Sequence, residues 1–328
     1  MEGIGDFMQM NMVKSLNNAL DIILRDNENA ILLGEDVGKD GGVFRGTDGL
    51  FDKYGEKRVV DTPLSESAIV GTAIGMALGG MHPIPEIQFA GFMFLSFEQL
   101  VNHAARYRSR SRGDYSVPMV VRTPVSGGVK ALEIHSESPE AFYSHIGGLV
   151  VVEPSNPYDA KGLLISAMKL DDPVIFLEPT KLYRLFKQEV PEESYEVPIG
   201  KASKVREGNA ITIITYGTMV NVVSDVVSKK GTDAEIIDLR TINPLDESTI
   251  LESVKKTGRA VVVHEAPTSF GVGAEVAARI AEKAIFDLSA PVVRVAAPSF
   301  FYPFPGYEEY YLPNEVKISK AIDKVLSA

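Results

Sequence analysis

The chain has 328 residues, more than one ordinary domain, and its 45% hydrophobic and 23% charged side chains are the balance of a folded globular protein, so two domains with their own cores are expected. A net charge of −11 opposes the basic footprint that nucleic-acid binding requires. Cysteine is absent, which excludes disulfides, thiolate zinc sites and a thiol nucleophile.

Residues 1–20 show neither a basic region leading into an apolar core nor an Arg/Ser bias, so no signal or transit peptide and a cytoplasmic location are expected. Val13, Leu16, Leu20, Ile23 and Leu24 recur at helical spacing, and Ala30 to Leu33 reads as a buried strand ending in Gly-Glu-Asp. Glu35 then stands at a strand's C-terminal end, the edge where open parallel sheets bind ligands; a solvated loop acid is the competing reading. The glycine- and charge-rich stretch from Gly38 to Gly55 reads as a loop with a short helix, and Arg58 to Val60 as a strand. Glu66 opens a small-residue helix that stays uncharged until Glu86, with Gly71, Gly75 and Gly79 on one face. Local pattern favours Ser65 as its cap and Glu66 as a first-turn acid complementing the helix dipole. His82, Pro83 and Pro85 interrupt the apolar run, which makes a buried helix the expectation over a membrane span.

Pro85 to Phe89 reads as a strand, Phe92 to Tyr107 as a helix and Met119 to Arg122 as a strand. Arg106, Arg108, Arg110 and Arg112 read as a solvated or partner-facing basic patch, with an anion site as the sharper alternative. The loop up to about Ser138 carries His135 between Glu133 and Glu137, either a solvated histidine or a catalytic one. His145 reads as a helix-end residue, and His82 and His103 show no metal-ligand clustering. Strands at Leu149–Val152 and Val174–Leu177 with a helix from Pro157 to Leu170 complete a parallel α/β unit.

From Glu178 to Lys201 proline and charge replace periodicity, which marks a linker. Beyond it strands at 210–216, 235–239, 260–263 and 292–295 alternate with helices at 219–230, 246–256, 272–286 and 314–326, a second doubly wound unit. Gly271 and Gly273 before a helix imitate a dinucleotide loop, but Val276 replaces the third glycine. No Walker A, HExxH or GxSxG motif occurs.

Taken together, LLGEDVG, GGVFRGTDGL, YGEKRVVDTPLSE, EIQFAGF, HSESPEAF, DAKGLL and IDLRTINPLD resemble one family: the beta chain of the thiamine-diphosphate-dependent dehydrogenase component of 2-oxoacid dehydrogenase complexes. The likeness runs in matching order from about Val13 to the C-terminus. HEAP (His264–Pro267), EPTKLYR (Glu178–Arg184) and IQFA (Ile87–Ala90) resemble the branched-chain members, so a 3-methyl-2-oxobutanoate dehydrogenase is favoured over a pyruvate or acetoin type.

The resemblance implies an α/β fold of two domains: a pyrimidine-type thiamine-diphosphate-binding parallel-sheet domain at 1–185, a linker at 186–200 and a transketolase-C-terminal-like parallel-sheet domain at 201–328. It implies that Glu66 hydrogen-bonds the 1′-nitrogen of the aminopyrimidine, favouring the imino tautomer that generates the ylid. Apolar surroundings suit a carboxyl that must donate that bond. It places Leu64, Gln88 and Phe92 on the aminopyrimidine pocket, Glu35 as an acid beside it, and His135 at acyl transfer to lipoamide. A monovalent-cation site falls near Ala167–Asp172. The chain has no Gly-Asp-Gly, so magnesium and diphosphate contacts are expected from an alpha subunit in an α2β2 tetramer that acylates the lipoyl group of the acyltransferase component. The glycine face of the Glu66 helix becomes a candidate subunit contact. Readings of other classes are a nicotinamide-linked dehydrogenase and a non-catalytic scaffold subunit.

Overall fold

A computed structural model describes residues 7–328. The first six residues, on which the N-terminal leader reading and the start of the first expected domain partly rest, lie outside the described residues. In chain order the strands are β1 (Phe7–Met10), β2 (Ala30–Gly34), β3 (Val59–Asp61), β4 (His82–Glu86), β5 (Val120–Val125), β6 (Val150–Val152) and β7 (Val174–Pro179). They continue as β8 (Gln188–Pro191), β9 (Ser203–Arg206), β10 (Ile211–Thr215), β11 (Ala234–Asp238), β12 (Thr241–Asn243), β13 (Ala260–Pro267) and β14 (Val293–Ala297).

Seven strands form one sheet in the order β12-β6-β7-β5-β4-β2-β3, and five form a second in the order β14-β13-β10-β11-β9. All pairings in both are parallel except those of the edge strands β12 and β9. This is a two-domain α/β fold, the class expected from the alternation of strand and helix. The first sheet's edge strand β12, however, comes from the C-terminal half of the chain. Within the expected linker, β8 pairs antiparallel with β1.

One face of the seven-stranded sheet is covered by the helices Met12–Asp26 and Pro157–Ala167, which bury Leu16, Leu20, Ile23, Leu163 and Leu164. The other face packs on the Glu66–Leu78 helix, and its core runs without a break through Tyr216, Leu239 and Ile242 into the second sheet. The helices Thr218–Lys230 and Glu315–Leu326 close the far face of the five-stranded sheet over Ile213, Ile236 and Val261.

Two expected elements differ. The strand expected at Pro85–Phe89 is β4, displaced toward the N-terminus. The residues of β4 that bond β2 include His82, whose N–H donates to Asn29 O at 2.9 Å, so Pro83 and Pro85 turn their missing donors toward β5. Pairing with β5 is accordingly confined to Glu86 opposite Arg122. The helix expected from Phe92 to Tyr107 is a series of short turns: 3-10 at Phe92–Ser96, π at Gln99–His103, 3-10 at Ala104–Arg106 and α at Tyr107–Arg110. Across these changes of pitch Met93, Leu100, Val101, Ala104 and Ala105 are all buried.

Candidate active site

The adjacent strands β5, β4, β2 and β3 end side by side, and all six residues singled out in the sequence follow those ends: Glu35 after β2, Leu64 and Glu66 after β3, Gln88 and Phe92 after β4, His135 after β5. They fall into two groups. In the first, Glu66 is 5% and Glu35 8% exposed. Burial, then the neighbouring Glu66 and Asp36 charges, push the Glu35 carboxyl above its ordinary range. Among the described residues neither of these two carboxyls takes a hydrogen bond, while Gln88 Nε2 donates to Asp36 Oδ2 at 2.9 Å. Asp36 itself stands at φ 57, a conformation its short polar side chain tolerates.

The second group is aromatic. Phe89 lies edge-on to Phe92 (5.7 Å between centroids) and to His135 (4.2 Å), and Phe92 lies 5.5 Å from His135. His135 Nδ1 is buried and, among the described residues, has no hydrogen-bond partner, an orphaned polar atom at the sheet edge. Leu64 is 78% exposed, apart from both groups in its surroundings.

Beneath the site lies a buried ionic set that sequence reading missed. Arg122, on β5, donates from Nε to Glu178 Oε1 and from Nη1 to Glu86 Oε2, both at 2.7 Å. Tyr183 donates to Glu178 Oε2 at 2.7 Å. Burial opposes the charge on Arg122, but Glu178 and Glu86 outweigh it and hold the guanidinium above its ordinary pKa. For Glu86 burial wins over Arg122, and its carboxyl sits above the usual range. Phe44 bridges this set to the site, 5.2 Å from Tyr183 and 5.7 Å from Phe89. A charge set buried to this degree, with Arg122 and Glu178 each 2% and Glu86 13% exposed at the side chain, is costly to break from one side, which makes it a stiff floor.

Several local readings change. Ser65 stands at the N-cap of the Glu66 helix, but its side chain makes no capping bond. Arg108 pairs with Asp172, Nε to Oδ1 at 2.6 Å, and Arg110 donates to Asn102 O, so part of the basic patch is engaged within the chain. His145 is the C-cap of the Glu140–Ser144 helix, as its position suggested. The dinucleotide reading loses its physical basis: a Cβ on Gly273 would lie 2.5 Å from His264 Nε2, and one on Gly271 2.6 Å from Pro267 O. Those glycines make room for a buried histidine and for backbone.

Residues 8–185 match the family described as transketolase, pyrimidine binding domain, and residues 200–318 the family described as transketolase, C-terminal domain. A solved structure titled "Split gene transketolase, inactive beta4 tetramer" aligns with a TM-score of 0.79 over 98% of this chain and 99% of that one; at 20% identity it speaks for the fold alone. The fold is therefore that of the transketolase-like α/β proteins. A protein of Acholeplasma laidlawii named "Pyruvate dehydrogenase E1 component subunit beta" is 51% identical over 320 residues, 97% of this chain and 98% of its own. A protein of the same name from Bacillus subtilis is 49% identical over 321 residues, 97% and 99% of the two chains. This chain belongs to the family of beta subunits of the E1 component of 2-oxoacid dehydrogenases. Among the described residues no helix is long and apolar enough to cross a membrane.

The branched-chain lean finds no support in these relatives, which are named for pyruvate. The three segments that carried it hold scaffold residues. His264 is wedged under Gly271 and Gly273, Glu178 binds Arg122, and Ile87 and Ala90 are core.

Proposed function

We propose that this chain is the beta half of a pyruvate-type 2-oxoacid dehydrogenase, acting with an alpha chain in an α2β2 tetramer and acylating the lipoyl group of an acyltransferase. The observation that carries the reading is Glu66: a buried carboxyl that takes no hydrogen bond among the described residues, at the C-terminal edge of a parallel sheet, beside Glu35. Such a group is free to hold a ring nitrogen of thiamine diphosphate. Phe92 and Gln88 offer a ring face and an amide to the same aminopyrimidine, with Leu64 at its rim. Bound there, the cofactor supplies the electron sink for decarboxylation.

In this reading Glu66 keeps a proton at the cofactor's pyrimidine nitrogen, and Glu35 adds a second acid whose raised pKa suits proton exchange at the same end of the pocket. His135 offers its imidazole to the lipoyl sulfur or the acyl oxygen, with Nδ1 buried and, among the described residues, without a partner. The two phenylalanines flank the imidazole and limit water around it. Magnesium and the diphosphate fall to the alpha chain, because this sequence lacks Gly-Asp-Gly. The preference for pyruvate rests on the relatives' names.

Co-expression with the alpha chain and a thiamine-dependent decarboxylation assay on pyruvate, 2-oxobutyrate and 3-methyl-2-oxobutanoate tests both parts. Pyruvate is expected to be turned over best, and Glu66→Gln to lower the rate by about 10²- to 10⁴-fold while the tetramer persists. Activity with 3-methyl-2-oxobutanoate alone would restore the branched-chain reading. Near-wild-type turnover by Glu66→Gln would remove the role given to Glu66.

A further inference from the structure

The loop carrying His135 leaves β5 at Val125, and its neck is closed by Ser126 N–H donating to Glu137 O at 2.9 Å. Its first residues stand in the left-handed region, Ser126 at φ 70, Gly128 at φ 87 and Lys130 at φ 57. Alternating backbone of this kind gathers amide N–H groups into a concavity that attracts negative charge. The C-terminal domain fills it with two carboxylates. Glu265, on β13, accepts the Gly127 N–H at 3.0 Å. Glu308 Oε1 accepts the Gly128 N–H at 2.9 Å and the Lys130 N–H at 3.3 Å, and Tyr302 donates its hydroxyl to the same oxygen. A Cβ on Gly127 would fall 1.9 Å from Tyr302 Oη, so only glycine lets the two domains meet there. Glu265 and Glu308 are both buried.

At its far end the loop is held from the other side. Gly91 N–H donates to Ile134 O at 3.2 Å, and a Cβ on Gly91 would sit 2.3 Å from that oxygen. Between the two anchors Val129, Leu132 and Ile134 are exposed. His135 has no hydrogen bond at Nδ1 to fix its own ring, so its place depends on the backbone that carries it and on the rings of Phe89 and Phe92.

We propose that Glu308, together with Glu265 and Tyr302, is a positioning group: the C-terminal domain grips the backbone amides of the His135 loop and so sets where the imidazole stands in the site of the other domain. The inference rests on the acyl-transfer reading of His135 given above. A clamp of this sort matters for a step that needs His135 and little for one that does not.

The test uses the tetramer reconstituted with the alpha chain, with lipoyl acylation and dye-linked decarboxylation measured separately. Glu308→Ala is expected to slow lipoyl acylation by about tenfold to 10²-fold while decarboxylation stays near wild type, the size of effect that misplacing a reacting group produces. Glu308→Gln keeps an acceptor oxygen and is expected to recover most of the acylation rate. Unchanged acylation in Glu308→Ala, or an equal fall in both assays, would overturn the proposal. Hydrogen exchange at Gly127, Gly128 and Lys130 is read alongside and is expected to quicken in Glu308→Ala and not in Glu308→Gln. Those amides unchanged in Glu308→Ala would show that the clamp does not hold the loop. His135→Ala separates the two readings: full acylation in that variant removes the role of His135, and the exchange data then decide the clamp by themselves.

Discussion

Four carboxyls are buried where the two domains meet: Glu140 and Glu153 from the first, Asp238 and Glu265 from the second. Tyr216 donates to Glu140 at 2.6 Å, and Ser155 donates to Asp238. Arg240, paired with Asp159 at 3.0 Å, and Lys181 offset burial only in part, the first for Asp238 and the second for Glu265. Burial is the first cause in each case, and it pushes Asp238 from 3.8 and Glu265 from 4.5 up to about 7. Between those ordinary values and about 7 the folded chain holds protons that the unfolded chain has released. Stability therefore falls as pH rises through that window, by up to about 1.4 kcal/mol per pH unit for each group, and levels off above it. Urea midpoints taken from about pH 5 to about pH 7.5 are expected to decline, and Asp238→Asn to flatten part of the slope. A midpoint that climbs across the same range would count against the burial argument. At this scale Glu66 and His135 were singled out only through the family resemblance, their local pattern favouring a first-turn acid and a solvated histidine, and Arg122, Glu86 and Glu178 carried no signal as a set. Their partners lie 36 and 56 positions apart, and no local pattern joins them.

The Glu66–Leu78 helix shows how far an element can be read from its own residues. Its apolar run was legible, and its glycines were read there as a candidate subunit contact. A Cβ on Gly75 would meet nothing within 4 Å, and one on Gly71 would touch only Gln99, 3.6 Å from Oε1. The glycine face is thus left open by this chain, which is what a contact with another subunit requires. Gly75→Leu is expected to leave the isolated chain folded and stabilise it by about 0.5–1 kcal/mol through helix propensity, while weakening assembly. Thermal melting of the chain and sedimentation of the assembly read the two effects; assembly at full strength would take the glycines out of the interface. Long amphipathic helices such as Met12–Asp26 and Glu315–Leu326 were legible because a sustained period announces them. β1, β8, β9 and β12 were missed because they are three or four residues long and lack the valine run that revealed the equally short β3 and β6.

Across the whole molecule, chain length and the alternation of strand and helix pointed to two domains, and both sheets are there. What the alternation could not reveal is that the two share a hydrophobic core and exchange a strand, since both depend on contacts between distant segments. The branched-chain lean rested at this scale on motifs that belong to the scaffold, as His264 and Glu178 do, and the named relatives give it no support.

The exchange has a consequence for the chain as it is made. The outer side of β6 is covered by β12, with Glu153 N–H donating to Arg240 O at 2.8 Å, while Val150 N–H is satisfied earlier in the chain by Pro173 O at 3.0 Å. A ribosome adding about 5–20 residues per second leaves that flank bare for several seconds after β7 is finished. The first domain thus stays open to a rival strand until β12 is made, while β13 and β14 of the second are still to come. Pulse-labelled refolding is expected to protect the Val150 amide first and the Glu153 amide only in step with β10 and β11; early protection of Glu153 would mean that the flank finds another cover.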